Sequence, residues 1–212
     1  MSQKLFVYRH PKKDGPTKDD LGPVGIAQAM AQGKRFTEHC VVDLLACSTL
    51  GRTALTMAAF MTQLNQEKRP LILPPHPALG NAELFKLMEQ SEVCMGTFAT
   101  GSGWFKAIHE GFEFGQVKSW AMNVHDVQMS TVSRLREYEN NAVVFGHGGM
   151  IELGVWAALD FPTDQDGKAC IPNQFDKVAE MAGVEFRFNG RELVPVRPID
   201  APHDLLVQSF RE

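Results

Sequence analysis

No stretch of this 212-residue chain approaches the roughly 20 consecutive apolar residues that a helix needs to cross a bilayer. The N-terminal apolar run is only Leu5-Phe6-Val7-Tyr8, too short for the core of a signal peptide. A cytoplasmic location, away from membranes, is therefore the default expectation. An excess of either charge is also missing, since the formal net charge is -4. That leaves no bulk electrostatic reason to expect nucleic acid as a partner. Affinity for anions has to come from a few placed cations. Cysteine is sparse: Cys40, Cys47, Cys94 and Cys170 form no CxxC pair and read as isolated, reduced, partly buried thiols. No His/Cys/Asp set has metal-ligand spacing, and neither an internal repeat nor a low-complexity tract is present. Thr100-Gly101-Ser102-Gly103 lacks the Gly-Lys-Ser/Thr ending of a nucleotide-binding phosphate loop and reads as a hinge.

What the chain does have is an ordinary hydrophobic content, 44%, enough to bury a sizeable core. Its length suits one domain spanning residues 1–212, with an excursion at about 74–126. Residues 4–8 read as a strand covered on both faces. Pro23 suits a first helical turn, and the Ala-, Gln- and Met-rich sequence after it predicts a helix over about 23–38. Residues 41–46 read as a second strand. Ala54, Met57, Ala58 and Met61 fall on one helical face, and residues 70–73 form a short strand stopped by Pro74-Pro75. A helix near 128–140, a buried strand at 142–145 and a helix over about 149–159 follow. Two strand-like runs flank Asn189-Gly190, a pair that favours a type I′ hairpin. The alternation predicts an α/β fold, a mainly parallel sheet with helices on both faces joined by right-handed crossovers.

Polar residues cluster in one topological place. Arg9 and His10 follow the first strand, Ser48, Thr49 and Arg52 the second, and His147 the strand at 142–145. In an open α/β sheet, ligands bind outside the carboxyl ends of the strands. Two guanidiniums and two imidazoles converging there would make an anion receptor, the planar fork of arginine matching phosphate oxygens. Singly, each has a plainer reading. Arg9 would serve as a solvated strand end, His10 as a satisfied core histidine, and His147 as part of a glycine-rich turn. Arg52 in a first helical turn opposes the helix dipole, which a bound anion would relieve. Their joint occurrence favours a site.

The ordered set Arg9-His10, Leu21-Gly22-x-x-Gly25-x-x-Gln28-Ala29, Ser48-x-x-x-Arg52-Thr53, Glu83 and Gly146-His147-Gly148-Gly149 resembles the histidine phosphatase superfamily, also called the phosphoglycerate mutase-like family. The resemblance runs from residue 5 to about 160. It implies a three-layer α/β/α fold and hydrolysis of phosphate monoesters with no cofactor and no metal. His10 would attack phosphorus and form a phosphohistidine, its other ring nitrogen held by a backbone carbonyl. Arg9, Arg52 and His147 would surround the phosphoryl oxygens. Glu83 would protonate the leaving group and later activate water, which requires a pKa raised by neighbours such as Leu79, Leu84 and Phe85. Without the resemblance, Glu83 reads as a first-turn carboxylate stabilised by the helix dipole. The implied partner is a small phosphorylated substrate or inorganic phosphate.

The chain also departs from the family pattern. Pro11 stands where the family has glycine and removes a backbone N–H. The Thr and Asn that often follow are missing, and Met57 replaces a common alanine. Lys12, Lys13 and Lys18 would attract a second anionic group or simply be solvated. The aromatic segment from Phe98 to Phe114, with Trp104, reads equally as a lid or substrate wall and as packing of the excursion. Two alternatives stand beside the phosphatase reading: a mutase that returns the phosphoryl group to substrate, and a module that binds phosphorylated ligands without turnover.

Overall fold

The computed structural model describes residues 3–11, 15, 17, 19–80, 82–136, 139–176 and 178–200. Strand β1 (Gln3–Arg9) leads to helix α1 (Pro23–Thr37), then β2 (Leu44–Cys47), α2 (Gly51–Met61) and β3 (Leu71–Ile72). Four helices, α3 (Ala82–Gln90), α4 (Glu92–Ala99), α5 (Trp104–Gly111) and α6 (Phe114–Val132), precede β4 (Asn141–Gly146) and α7 (Met150–Ala158). The pair β5 (Gly183–Phe188) and β6 (Leu193–Ile199) ends the described chain. Among the described residues, no helix is long and apolar enough to cross a membrane.

The sheet has six strands in the order β3-β2-β4-β1-β5-β6. Strands β3, β2, β4 and β1 run parallel, and β5 and β6 are antiparallel additions. The α/β architecture with a mainly parallel sheet is as expected. Successive side chains of a strand point to opposite faces, and β1 shows the consequence. Leu5 and Val7 join the core beneath α6 and α7, while Phe6 and Tyr8 join the aromatic core with Phe36, Phe60 and Phe145 beneath α1 and α2. Burial on both faces explains why β1 and β4 read as continuous apolar runs rather than as alternating ones.

Several local expectations are corrected. The helix expected near 128–140 is instead α6, which begins at Phe114 and ends at Val132. Val117, Ala121, Val124, Gln128 and Thr131 form its buried stripe, a helical period that the aromatic flank obscured. On α2 the fully buried residues are Arg52, Thr53, Thr56, Ala59 and Phe60, whereas Ala58 is exposed. The helix is rotated because its polar N-terminal residues, and not only its apolar ones, face inward. The hairpin forms, but φ is positive at Gly190 and not at Asn189, so the turn is not type I′. The Asn189 side chain accepts hydrogen bonds from the amides of Arg191 and Glu192, closing a longer loop. All four cysteines are free, Cys47 and Cys94 being buried. The second-anion role considered for Lys12, Lys13 and Lys18 lies outside the described residues.

Candidate active site

The strand order places three chain exits side by side. Arg9 pairs in register with Gly146, and the His10 amide donates to the Gly146 carbonyl at 3.1 Å. His10 and His147 thus each leave the sheet one residue beyond the same pairing. On the other flank of β4, Cys47 pairs with Phe145, and the Ser48 amide donates to the Phe145 carbonyl at 3.1 Å. Parallel strands in this register carry Ser48, His147 and His10 to one edge. The two imidazole centroids lie 4.9 Å apart, and both rings are buried, at 3% and 1% exposure.

The hydrogen bonds fix the ring tautomers. His10 Nδ1 lies 2.7 Å from the Pro11 carbonyl oxygen. A carbonyl only accepts, so Nδ1 carries the proton and Nε2 is the unprotonated nitrogen of the neutral ring. Pro11 lacks an amide proton, yet its carbonyl performs this orientation. His147 has the opposite arrangement. Its Nδ1 accepts from Arg52, with Nε at 3.3 Å and Nη2 at 3.2 Å. Its Nε2 therefore donates to Ser48 Oγ at 2.8 Å. Ser48 in turn donates to Thr53 Oγ1 at 2.7 Å and accepts from the Leu50 amide at 3.2 Å.

Arg52 is 7% exposed and pairs with Asp19 at 3.2 Å. Burial pushes its guanidinium below the usual range, Asp19 opposes this, and the charge of Arg9 adds to the lowering. Two cations that repel each other across a buried site are what an anion between them would relieve. Arg9 donates Nη1 to the Val178 carbonyl at 2.8 Å, and its buried Nε has no partner among the described residues. Gly148 lies against Arg9: a Cβ there would sit 3.1 Å from its Cζ and Nε, and as close to Trp104 Cδ1.

Arg9, His10, Arg52 and His147 line a pocket of about 300 Å³ with Asp19, Leu50, Phe85, Lys86, Glu89 and Trp104. Trp104, stacked on Phe98 with centroids 3.8 Å apart, is thus a pocket wall. Glu83 is not in this group. It is exposed and lines an adjacent cavity of about 800 Å³ with His76, Trp120, Asp126 and Arg134. Ala82, Phe85, Lys86 and Glu89 present the other side of α3 to the histidines. Residues six apart on a helix point about 120° away from each other, so Glu83 and Glu89 face different cavities. Motif spacing gave no signal for Asp19, Lys86 or Glu89. Glu152 could have been found: it is a lone charge in the apolar helix Met-Ile-Glu-Leu-Gly-Val-Trp, and such a residue must be satisfied internally.

The model of the histidine phosphatase superfamily, branch 1, matches residues 5–188. The chain belongs to the histidine phosphatase superfamily. Solved structures of similar fold include phosphoserine phosphatase from Entamoeba histolytica in complex with 3-phosphoglyceric acid. It is 17% identical, with 95% of this chain and 98% of that chain covered and a TM-score of 0.58. Phosphoglycerate mutase from Bacillus anthracis is 13% identical, covering 97% and 94%, with a TM-score of 0.60. The alpha-ribazole phosphatase of Shigella flexneri is 16% identical, covering 94% and 97%, with a TM-score of 0.54. No curated protein matches the chain. Both phosphatases and mutases thus share this fold, the fold expected from the sequence.

Proposed function

We propose that this chain hydrolyses small phosphate monoesters through a phosphohistidine on His10. The observation that carries the reading is the tautomer of His10: Nδ1–H is engaged by the Pro11 carbonyl at 2.7 Å, which leaves Nε2 as the nucleophile, beside the buried Arg52 and the half-buried Arg9. Nε2 attacks phosphorus, the bond from phosphorus to the ester oxygen breaks, and the leaving oxygen takes a proton. Water then attacks phosphorus, the P–N bond breaks, and inorganic phosphate departs. Splitting one displacement into two lowers each barrier. Arg9, Arg52 and His147 act by positioning and by charge on the phosphoryl oxygens. In this conformation His147 is engaged by Ser48 and Arg52. Its share in binding phosphate requires Arg52 to turn from its Nδ1 toward the anion and that nitrogen to carry a proton, since an unprotonated ring nitrogen only accepts.

For the proton donor, Glu89 is better supported than Glu83, because Glu89 lines the pocket of His10 and Glu83 lines the neighbouring cavity. The pocket volume of about 300 Å³ favours a small metabolite phosphate. A cytoplasmic location is our reading for such a substrate.

The test is a panel of phosphomonoesters assayed with wild type and His10→Ala, with trapping of labelled protein. Turnover and a base-stable, acid-labile label in the wild type alone are expected. Full activity of His10→Ala would remove the nucleophile assignment. A requirement for a bisphosphate primer would make the chain a mutase, and phosphate binding without turnover would make it a binding module.

A further inference from the structure

Helix α7 carries one charge, Glu152, among apolar neighbours, and it is 1% exposed. Its two carboxylate oxygens hold two different segments. Oε2 accepts the Gly149 amide at 2.7 Å, two residues beyond His147. Oε1 accepts the Val178 amide at 3.1 Å. The same Val178 residue offers its carbonyl to Arg9 Nη1 at 2.8 Å. A continuous chain of bonds thus links Arg9, Val178, Glu152 and the Gly149 turn behind His147. We propose that Glu152 is a positioning residue for the phosphate clamp: it holds the backbone at Val178, whose carbonyl aims Arg9. The proposal rests on the reading of this pocket as a phosphate site.

The chemistry requires a carboxylate. Two backbone N–H donors arrive from separate segments, and only a side chain with two acceptor oxygens satisfies both. An amide satisfies one and turns its own N–H₂ on the other. Among the described residues, Arg9 is anchored by a single N–H, so its direction depends on where that carbonyl sits. The Arg9 charge also lies near enough to favour the carboxylate form, against the burial that pushes the Glu152 carboxyl upward. A plainer role is available, since the bond to the Gly149 amide caps the N-terminus of α7. A helix cap alone predicts lost stability and no coupling to Arg9.

The deciding experiment is calorimetric titration of inorganic phosphate into wild type, Glu152→Gln, Arg9→Ala and the double variant, with melting curves alongside. Glu152→Gln should bind phosphate about tenfold more weakly, the scale of coupling within one bonded network. In the Arg9→Ala background the same substitution should change affinity by less than about twofold, because residues in one network are not additive. An equal loss with and without Arg9, or no loss at all, would overturn the proposal and leave a helix cap. If Glu152→Gln does not fold, Glu152→Asp keeps the charge but reaches one donor, and it is read the same way. Failure of both to fold makes Glu152 a folding determinant and also overturns the proposal. Absence of phosphate binding by the wild type is a separate result, and it would overturn the phosphate site itself.

Discussion

Gly80 offers a sharp test of how tightly the second imidazole is held. Its φ is -170°, extended backbone that any residue adopts, so alanine there brings no backbone strain. The difficulty is space. A Cβ would lie 2.4 Å from His147 Cδ2, 2.5 Å from its Nε2 and 2.7 Å from Ser48 Oγ. Carbon contacts are comfortable at about 3.5–4.0 Å, so something must move by about 1 Å. The ring cannot yield cheaply, being 1% exposed and tied to Ser48 at 2.8 Å. A displacement of about 1 Å in a catalytic group costs on the order of 100-fold in rate, equivalent to about 2.7 kcal/mol of barrier. Overpacking adds about 1–3 kcal/mol of lost stability. The measurement is kcat/KM on an aryl phosphate together with urea unfolding. Gly96→Ala is the control, because a Cβ there meets nothing within 4 Å. Unchanged kcat/KM in Gly80→Ala would show that the turn before α3 gives way freely and that His147 is not clamped as described.

Two further predictions concern protons. Glu89→Gln should slow alkyl phosphates more than aryl phosphates, because only poor leaving groups need a proton, and Glu83→Gln should treat both alike. The reverse pattern would return the acid role to Glu83. Half-buried between Phe105 and Trp156, each ring 4.5 Å away, His109 has its pKa lowered from 6.5 to about 4 by desolvation. The fold therefore keeps the ring neutral while the unfolded chain protonates it. Its contribution to stability is complete above pH 6.5 and is lost as pH falls toward about 4. His109→Phe should flatten the fall of Tm across that window, and parallel Tm profiles for wild type and variant would refute the assignment.

Legibility in the sequence followed the reach of the physical signal. Strands β1 and β4 were readable because burial on both faces leaves an unbroken apolar run, and α1 because Pro23 marks its first turn. The convergence of Arg9, His10, Ser48, Arg52 and His147 was readable because carboxyl ends of parallel strands share one edge. Helix phase was not. Whether Glu83 or Glu89 faces the histidines depends on how α3 sits on its neighbours, and motif spacing carries no such information. Gly80 was equally silent, since its need for a missing side chain arises only from a ring brought in from residue 147. The start of α6 was hidden by a Gly- and aromatic-rich flank that turned out to hold a further short helix, α5.

The direct pairing of Arg9 with Gly146 also bears on biogenesis. His10, the proposed nucleophile, is made early in translation, but its partner imidazole emerges more than a hundred residues later, as the numbering shows. Contacts so distant along the chain form slowly, and nascent segments wait for them. A ribosome-bound fragment ending before β4 would carry His10 with nothing opposite it. Onset of the proposed phosphate-ester turnover would then report closure of the central sheet, making the reaction its own clock for folding.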